Sequence, residues 1–246
     1  MSSFKNRLII GKQPLIEAIA AGKTIDKIFL QKNATGELAT HIKQLCKDHQ
    51  IPMQFVPVEK LNSFTRANHQ GVIAFAALVS YLPLQQIIDF TVGNGDTPLF
   101  VMLDAVTDVR NIGAIARTAL CCGAQAIIIP DKGVGALNEE AMKSSAGALE
   151  HLHICRVSSL MKAIDEMHLN GIKVYASEMR CETKIYDVDF REPCCIIMGG
   201  EEKGVYPAFM KISDEIFKIP MQGKFESLNV SVATGMILYE AMRQRG

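Results

Sequence analysis

Three polar loops hold the side chains whose types and spacing could support catalysis, and each loop follows a predicted buried strand. The first loop follows Leu99–Asp104 and runs through Asn111 into a helix that carries Arg117. Asn111 is a good helix N-cap, and Gly113 lets another segment of backbone approach closely. The helix is otherwise made mostly of Ala, Ile and Thr. Arg117 therefore either snorkels or pairs with a buried Asp, or it is aimed at a phosphate or an oxyanion.

The second loop, Gly-Gly-Glu-Glu-Lys-Gly, comes directly after the apolar run Cys194–Met198. Its glycines would open backbone amides to a ligand. Glu201 stands at the end of the strand, where a carboxylate is costly unless it is paired or solvated. The segment is neither a Walker loop nor a GxGxxG dinucleotide fingerprint, which argues against a nucleotide-dependent oxidoreductase.

The third loop follows Ile219 and carries Ser227 and Asn229 ahead of a helix predicted over about Ser231–Arg243. On one interpretation Ser227 or Asn229 only caps this helix, and on the other both residues take part in chemistry. Small residues at positions 233–235 would also allow tight helix packing, so a subunit interface is a further prediction for this helix.

The elements that must position these loops are those of an α/β fold. Helical patterns lie between most of the predicted strands, and this alternation indicates a parallel sheet covered on both faces. Ligands of such sheets collect at the carboxyl ends of the strands, which is where the three loops begin. The predicted strands are Leu99–Asp104, Ala126–Pro130, Lys173–Ser177, Cys194–Met198 and Glu215–Ile219.

The chain is predicted to contain two domains. Residues 1–80 alternate short apolar runs with helical patterns and form a small α/β unit. Residues 81–97 contain Pro83, Gly93 and Gly95, and this composition is typical of a linker. Residues 98–246 then form the larger domain with the three loops.

The composition is that of a globular protein whose charge is unevenly distributed. The 246 residues have a net charge of zero, but residues 1–82 carry a balance of +5 and residues 83–246 a balance of −5. The basic N-terminal part weakly favours a nucleic-acid contact there. Seven cysteines without a CxxC pattern are expected to be reduced and mostly buried. No metal is expected at His151 and His153, because a third ligand is lacking nearby.

The sequence also bears on location. It contains no apolar run of the roughly 18 residues that a membrane helix needs. The N-terminus lacks an apolar stretch followed by a small-residue cleavage site, so it does not look like a signal peptide. A cytoplasmic protein with no membrane partner is therefore expected.

Taken together, in this order and spacing, the three loops resemble the SpoU (TrmH) branch of the SPOUT methyltransferases, which methylate ribose 2′-hydroxyls in RNA. The family pattern N-x-G-x-x-x-R-T is matched by Asn111, Gly113, Arg117 and Thr118. The pattern G-x-E-x-x-G is matched by Gly199, Glu201 and Gly204. The pattern I-P-M-x-G…S-L-N-V-S is matched from Ile219 through Ser231.

The resemblance covers nearly the whole chain. The N-terminal third, with Ile10–Pro14, Ile25–Phe29 and His69–Ala74, is similar to the L30e-like substrate-binding domain of this branch. One position departs from the pattern, because Val109 stands where the family commonly has Pro. The departure could change the rigidity of the first loop, but it removes none of the side chains expected to act.

The resemblance implies a trefoil-knotted methyltransferase domain that uses S-adenosylmethionine as its cofactor, without a metal. The implied cofactor contacts are Gly199, Ile219 and Leu228, together with Met198, Met221 and Asn229. The implied active-site residues are Asn111, Arg117, Glu201, Ser227 and Asn229.

The resemblance also implies the partners. The family works as a homodimer in which Arg117 acts near the cofactor of the other subunit, and Glu201 is expected to hold the Arg117 guanidinium. The implied substrate is a guanosine in 23S ribosomal RNA; transfer-RNA methylation and a catalytically silent RNA-binding homologue are the alternatives. The candidate phosphate contacts are Lys12, Lys27, Lys32 and Arg66, with Lys5 and Arg7 as further candidates.

Overall fold

The computed structural model describes residues 7–222 and 227–246, and the chain divides into two compact units between Ser80 and Tyr81. Lys5, one of the candidate phosphate contacts, lies outside the described residues. Each unit has its own sheet and its own hydrophobic core. Within the described ranges, no helix combines the length and the apolar character needed to cross a bilayer.

Residues 7–80 form a four-stranded sheet with three helices. The strand order is β1-β4-β2-β3, with β4 antiparallel to both β1 and β2 and with β3 parallel to β2. The elements are β1 (Leu8–Ile10), α1 (Lys12–Ala20), β2 (Ile25–Gln31), α2 (Gly36–Asp48), β3 (Met53–Val56), α3 (Val58–Phe64) and β4 (Val72–Ala76).

Strand β4 is buried along its whole length because helices cover both faces of this sheet. Val72 and Ala74 belong to a core cluster with residues of α1 and α2, whereas Ile73 and Phe75 pack in a second cluster with Leu61 of α3. The alternation of side chains along a strand explains why neighbouring residues enter different clusters.

The second unit contains the remaining elements, and its six strands lie in the order β10-β8-β9-β5-β6-β7. The elements of this unit are α4 (Leu84–Gly93), β5 (Leu99–Asp104), α5 (Val109–Cys121), β6 (Ala126–Pro130), α6 (Glu139–Ser144), α7 (Ala148–His151), β7 (His153–Val157), α8 (Leu160–Leu169), β8 (Lys173–Ser177), the 3₁₀ helix Ile185–Asp187, β9 (Cys194–Gly199), α9 (Pro207–Ile212), β10 (Glu215–Phe217) and α10 (Val230–Arg245).

All five strand pairs of the second sheet are parallel, which confirms the predicted α/β fold. Residues of α4 and α8 pack with Phe100 and Met102 of β5 in one core cluster, while α5 and α10 contact β6 and β9 and pack on each other. The order places β9 directly beside β5, so the loops that leave these two strands are neighbours at the carboxyl edge.

The predicted linker over residues 81–97 is wrong for most of its length. Residues 84–93 form α4, whose Leu84, Ile87, Ile88 and Thr91 are buried. These four residues lie at helical spacing and form one apolar stripe, so the segment packs against the second unit. Gly93 is therefore the last residue of a helix, and Gly95 lies in the turn that follows it, so neither glycine belongs to a flexible linker.

Two smaller predictions are corrected as well. Helix α5 begins at Val109 with Asp108 as its N-cap, so Asn111 is not the cap. Strand β10 ends at Phe217, so Ile219 lies in the loop that follows the strand rather than within it. Both changes move a predicted site residue relative to the element that carries it.

Candidate active site

A cleft of about 310 Å³ opens at the carboxyl edge of the second sheet. Residues 105–108 after β5 and residues 200–203 after β9 form its sides. Asn111 in the first turn of α5 and Val230 at the start of α10 complete the lining. The cleft therefore joins all three loops that were singled out in the sequence.

The loop after β9 depends on its glycines. A Cβ atom at Gly199 would overlap the backbone of Gly204, and a Cβ at Gly200 would overlap the carbonyl oxygen of Ala105. Gly204 has a φ of 64°, and its amide donates to the Gly200 carbonyl at 2.9 Å. The loop is therefore a closed turn that carries residues 201–203 at its tip.

The loop after β5 is fastened to the loop after β9 through Asp104. Its Oδ2 accepts a hydrogen bond from the Tyr206 amide at 2.7 Å. Burial raises the pKa of Asp104, and the hydrogen bond from Tyr206 opposes that shift. Ala105 follows with a φ of 55°, a left-handed conformation that is uncommon for a residue with a Cβ atom. Neither residue was recognised from the sequence as part of the site.

The first turn of α5 is held by an ion pair outside the proposed catalytic residues. Asp108 Oδ1 accepts from the Arg110 amide at 2.9 Å, and the Arg110 guanidinium donates to both carboxylate oxygens. These bonds hold the pKa of Asp108 below its usual value. Because Asp108 caps the helix, the side chain of Asn111 is available to the cleft.

Three of the predicted active-site residues form one hydrogen-bonded group, the Asn–Glu–Asn cluster of Asn111, Glu201 and Asn229. Glu201 Oε1 accepts from Asn111 Nδ2 at 3.0 Å and from Asn229 Nδ2 at 2.7 Å. Asn229 Nδ2 also donates to Asn111 Oδ1 at 3.0 Å. Among the residues that the structure describes, Glu201 Oε2 has no hydrogen-bond partner, so it can accept a bond from a ligand.

Asn229 has two roles at once. Its Oδ1 caps α10 by accepting from the Ser231 amide at 3.0 Å and the Val232 amide at 3.3 Å, while its Nδ2 belongs to the Asn–Glu–Asn cluster. Capping of α10 is therefore confirmed, and it leaves Nδ2 free for the chemical role that the sequence predicts. Ser227 is exposed and makes no side-chain hydrogen bond within residues 7–222 and 227–246.

Arg117 lies away from the Asn–Glu–Asn cluster. It is exposed on α5, six residues after Asn111, which is about 9 Å along the helix and about 120° around its axis. Within one chain Glu201 does not pair with Arg117, and its Oε1 accepts the two asparagine amides. Within one chain, Arg117 does not line the cleft.

The predicted cofactor contacts lie on both sides of β8. Met198 and Gly199 end β9, whereas Ile219 is buried just after β10. Met221 and Leu228 are half-buried, and residues 223–226 between them lie outside the described residues. Because β9, β8 and β10 are neighbours in the sheet, Met198, Gly199 and Ile219 lie along one stretch of the carboxyl edge.

The candidate phosphate contacts of the first unit have different surroundings. Lys32 and Arg66 are exposed, Lys12 begins α1, and Lys27 lies 5.2 Å from the centroid of the Phe29 ring.

Arg7 does not fit this role. It is buried, donates through Nε to the Ala76 carbonyl at 2.8 Å and lies 3.6 Å from Asp26, so the structure assigns it to packing.

Comparison with protein families gives two matches that together span most of the chain. Residues 98–239 match the SpoU rRNA Methylase family. Residues 8–82 match the family described as RNA 2′-O ribose methyltransferase substrate binding.

Curated relatives match over almost the whole length. A Bacillus subtilis protein named TrmH family tRNA/rRNA methyltransferase YacO is 33% identical over 96% of this chain and 95% of its own. A Staphylococcus haemolyticus protein named TrmH family tRNA/rRNA methyltransferase is 35% identical over 97% of this chain and 96% of its own.

Solved structures share the fold. The AdoMet-bound rRNA methyltransferase of Sinorhizobium meliloti is 24% identical with a TM-score of 0.62, and the match covers 96% of this chain and 87% of that one. A TrmH/SpoU tRNA modifying enzyme of A. aeolicus is 30% identical with a TM-score of 0.55, and the match covers 66% of this chain and 82% of that one.

Proposed function

Because this chain belongs to the SpoU rRNA methylase family of RNA 2′-O-ribose methyltransferases, we propose that it methylates the 2′-hydroxyl of a guanosine in 23S ribosomal RNA. The observation that carries the proposal is the Asn–Glu–Asn cluster, which places a carboxylate with a free oxygen in a cleft at the carboxyl edge of the sheet. The methyl donor is S-adenosylmethionine.

The residues along the carboxyl edge fit this cofactor. Ile219, Met221 and Leu228 offer apolar contacts for an adenine ring. Glu178 follows β8 in the same stretch, and its Oε2 would lie 3.7 Å from a Cβ at Gly204. A carboxylate at this place suits hydroxyl or ammonium donors of the ligand. The trefoil knot implied by the family resemblance is part of this proposal.

The main task of the protein in this reaction is to align the ribose 2′-hydroxyl with the methyl group of the cofactor. S-adenosylmethionine supplies an electrophilic methyl group, and its sulfur becomes a neutral thioether when that group leaves. Glu201 Oε2 accepts a hydrogen bond from the ribose 2′-hydroxyl and takes its proton as the 2′-oxygen bonds to the methyl carbon, while Asn111 and Asn229 hold the carboxylate in one position. Holding two reactants in the correct geometry removes a large part of the activation free energy of their reaction. Ser227, exposed ahead of α10, is proposed as a further contact to the ribose.

Arg117 is proposed to act from the partner subunit of a homodimer. It lies three residues before the exposed Leu120, on the same face of α5. Helix α10 packs on α5 and exposes Val232, Met236 and Tyr239 by 52%, 48% and 60% at helical spacing. Such an apolar stripe is typical of an interface. The interface would bring Arg117 of one chain to the cleft of the other.

In the proposed mechanism, Arg117 binds the substrate phosphate and stabilises the alkoxide that develops on the 2′-oxygen. A guanidinium group stays protonated at neutral pH, so it is a poor choice for the base itself. Arg117→Ala separates the two contributions. Lost turnover with retained RNA affinity supports the role at the alkoxide, and lost affinity with retained turnover leaves only the phosphate contact.

Subunit mixing tests whether Arg117 acts across the interface. Arg117→Ala and Glu201→Gln are each expected to be inactive alone. If Arg117 acts on the partner's cleft, a mixed dimer has one intact site, and an equal mixture recovers about a quarter of the wild-type sites. Recovery near zero after verified subunit exchange means that both residues serve the same chain's site.

The reaction itself is tested by label transfer. The protein is mixed with S-adenosylmethionine carrying a labelled methyl group and with unmodified ribosomal RNA, and the RNA is cut with a nuclease that needs a free 2′-hydroxyl. Label in an uncut dinucleotide that contains 2′-O-methylguanosine is the expected result. Label in single nucleotides means base methylation and contradicts the proposal.

Transfer RNA is the second candidate substrate, because both relatives carry names that include tRNA and rRNA. The A. aeolicus tRNA enzyme matches only 66% of this chain, whereas the S. meliloti rRNA enzyme matches 96%, which favours ribosomal RNA. The same assay with unmodified transfer RNA decides between them. Label in transfer RNA alone would keep the reaction and change the substrate.

A further inference from the structure

The rim of the cleft holds two side chains that the proposed reaction does not use, Lys203 and Tyr206. Both are exposed, and they stand three residues apart on either side of the Gly204 turn. Three residues of backbone span at most about 10 Å, so both side chains can reach a single nucleotide. A cation next to an open aromatic ring is the combination with which proteins bind unpaired nucleic acid.

Lys203 offsets an unfavourable charge at the cleft. The lining includes the carboxylates Asp108, Glu201 and Glu202, and of these Asp108 is paired with Arg110. Lys203 forms no ion pair with any residue in the described part of the chain. An RNA phosphate near Glu201 and Glu202 would be repelled, so a cation must accompany it into the cleft. Lys203 is the lysine that lines the cleft.

Tyr206 is held at its backbone and open at its ring. Its amide donates to Asp104 Oδ2 at 2.7 Å, and its ring meets Phe209 of α9 with centroids 5.4 Å apart at 69°. The side chain nevertheless stays 59% exposed. The fixed backbone and the Phe209 contact limit the freedom of the ring, which reduces the entropy lost when a base stacks on it.

We propose that Lys203 and Tyr206 bind the nucleotide next to the one that is methylated, with Lys203 on its phosphate and Tyr206 stacked on its base. The inference rests on the proposed function, since it requires an RNA substrate in the cleft. The contact fixes the register of the strand, so that the correct ribose meets the Asn–Glu–Asn cluster.

The sequence contains no tryptophan, so one substitution creates a specific reporter. In Tyr206→Trp, binding of unmodified ribosomal RNA is expected to quench the tryptophan fluorescence, because the base stacks on the indole ring. Tyr186→Trp is the matched control. Tyr186 is 56% exposed and has Lys184 5.6 Å from its ring centroid, but it lies within the 3₁₀ helix and does not line the cleft. The control should keep its fluorescence.

Loss of the ring should weaken binding. Tyr206→Ala is expected to raise the KM for RNA at least about fivefold with kcat within about twofold, whereas Tyr206→Phe should match the wild type. Lys203→Gln should reduce the slope of log affinity against log salt by about 0.7, the value for one contact to a single strand. Lys211→Gln, which removes an exposed lysine of α9, should leave the slope unchanged.

The outcomes separate this inference from the proposed function. If wild-type protein methylates the RNA but Tyr206→Trp is not quenched by it, or Tyr206→Ala keeps the wild-type KM, the stacking contact is refuted and the reaction stands. An unchanged salt slope in Lys203→Gln likewise refutes the phosphate contact. If wild-type protein labels no RNA, the proposed function fails first, and the inference falls with it.

Discussion

Asn229 is the residue at which capping and catalysis can be separated, because its two side-chain atoms serve different purposes. Ser is as good an N-cap as Asn, so Asn229→Ser should keep α10 intact and change the free energy of unfolding little. Ser cannot replace Nδ2, so Glu201 loses the 2.7 Å bond and keeps only the 3.0 Å bond from Asn111. A hydrogen bond to a charged group contributes about 1.5–3 kcal/mol.

The lower end of that range applies here, since Glu201 and Asn229 are exposed and water can replace part of the lost bond. We therefore expect kcat of Asn229→Ser to fall about tenfold, which corresponds to about 1.4 kcal/mol of barrier. Single-turnover methylation at saturating RNA and cofactor measures this change directly. Thermal unfolding of the same preparation should show a midpoint close to that of the wild type.

Asn138 offers a matched control, because it caps α6 with the same geometry. Its Oδ1 accepts from the amides of Glu140 and Ala141, both at 3.0 Å, and it does not line the cleft. Asn138→Ala should lose about 1 kcal/mol of stability and keep kcat. If Asn138→Ala slows turnover as much as Asn229→Ser does, the slower turnover does not depend on the hydrogen bond to Glu201, and the role assigned to the Asn–Glu–Asn cluster is refuted.

Two further predictions concern a glycine of the loop after β9 and an ion pair near the end of α10. Gly200→Ala should cost roughly 2–3 kcal/mol of stability and abolish methylation, because its Cβ would overlap the Ala105 carbonyl; Gly93→Ala, with open space around it, should be neutral in the same melts. Bonding to Arg243 lowers the pKa of Glu240 from 4.5 to about 2. Its stabilisation is therefore present above pH 4.5 and lost as the pH falls toward about 2. In acid titrations, Glu240→Gln should accordingly lose less stability below about pH 4.5 than the wild type, and an equal loss would contradict this.

The strands of the second sheet were the most predictable part of the fold. The predicted bounds of β5, β6 and β8 coincide with the observed ones, because each is a continuous apolar run that ends at a turn signal. Such runs are long enough to specify a strand buried on both faces without any knowledge of its neighbours. Helix starts were less predictable. Asp108 and Asn111 are both good caps, and local preference does not choose between them.

The partners of the polar side chains could not be predicted from the sequence. Glu201 was expected to hold Arg117, and within one chain it accepts from Asn111 and Asn229. These contacts arise because the strand order determines which loops are neighbours, and in that order β9 lies beside β5. Sequence spacing carries no information on that order. For the same reason the contact between Asp104 and Tyr206 could not be predicted, since their hydrogen bond joins residues 102 positions apart in the sequence.

The signature Gly199-x-Glu201-x-x-Gly204 mixes two kinds of requirement that a sequence pattern does not distinguish. At Gly199 a Cβ atom would overlap the backbone of Gly204, so the position requires glycine. Gly204 adopts a left-handed φ of 64°. Both glycines therefore shape the turn, whereas Glu201 presents its carboxylate to the cleft. The left-handed position tolerates Asn at modest cost, but the Gly199 position tolerates no side chain. Gly204→Asn should accordingly retain folding and methylation better than Gly199→Ala, and the opposite ranking would mean that Gly204 serves the ligand rather than the turn.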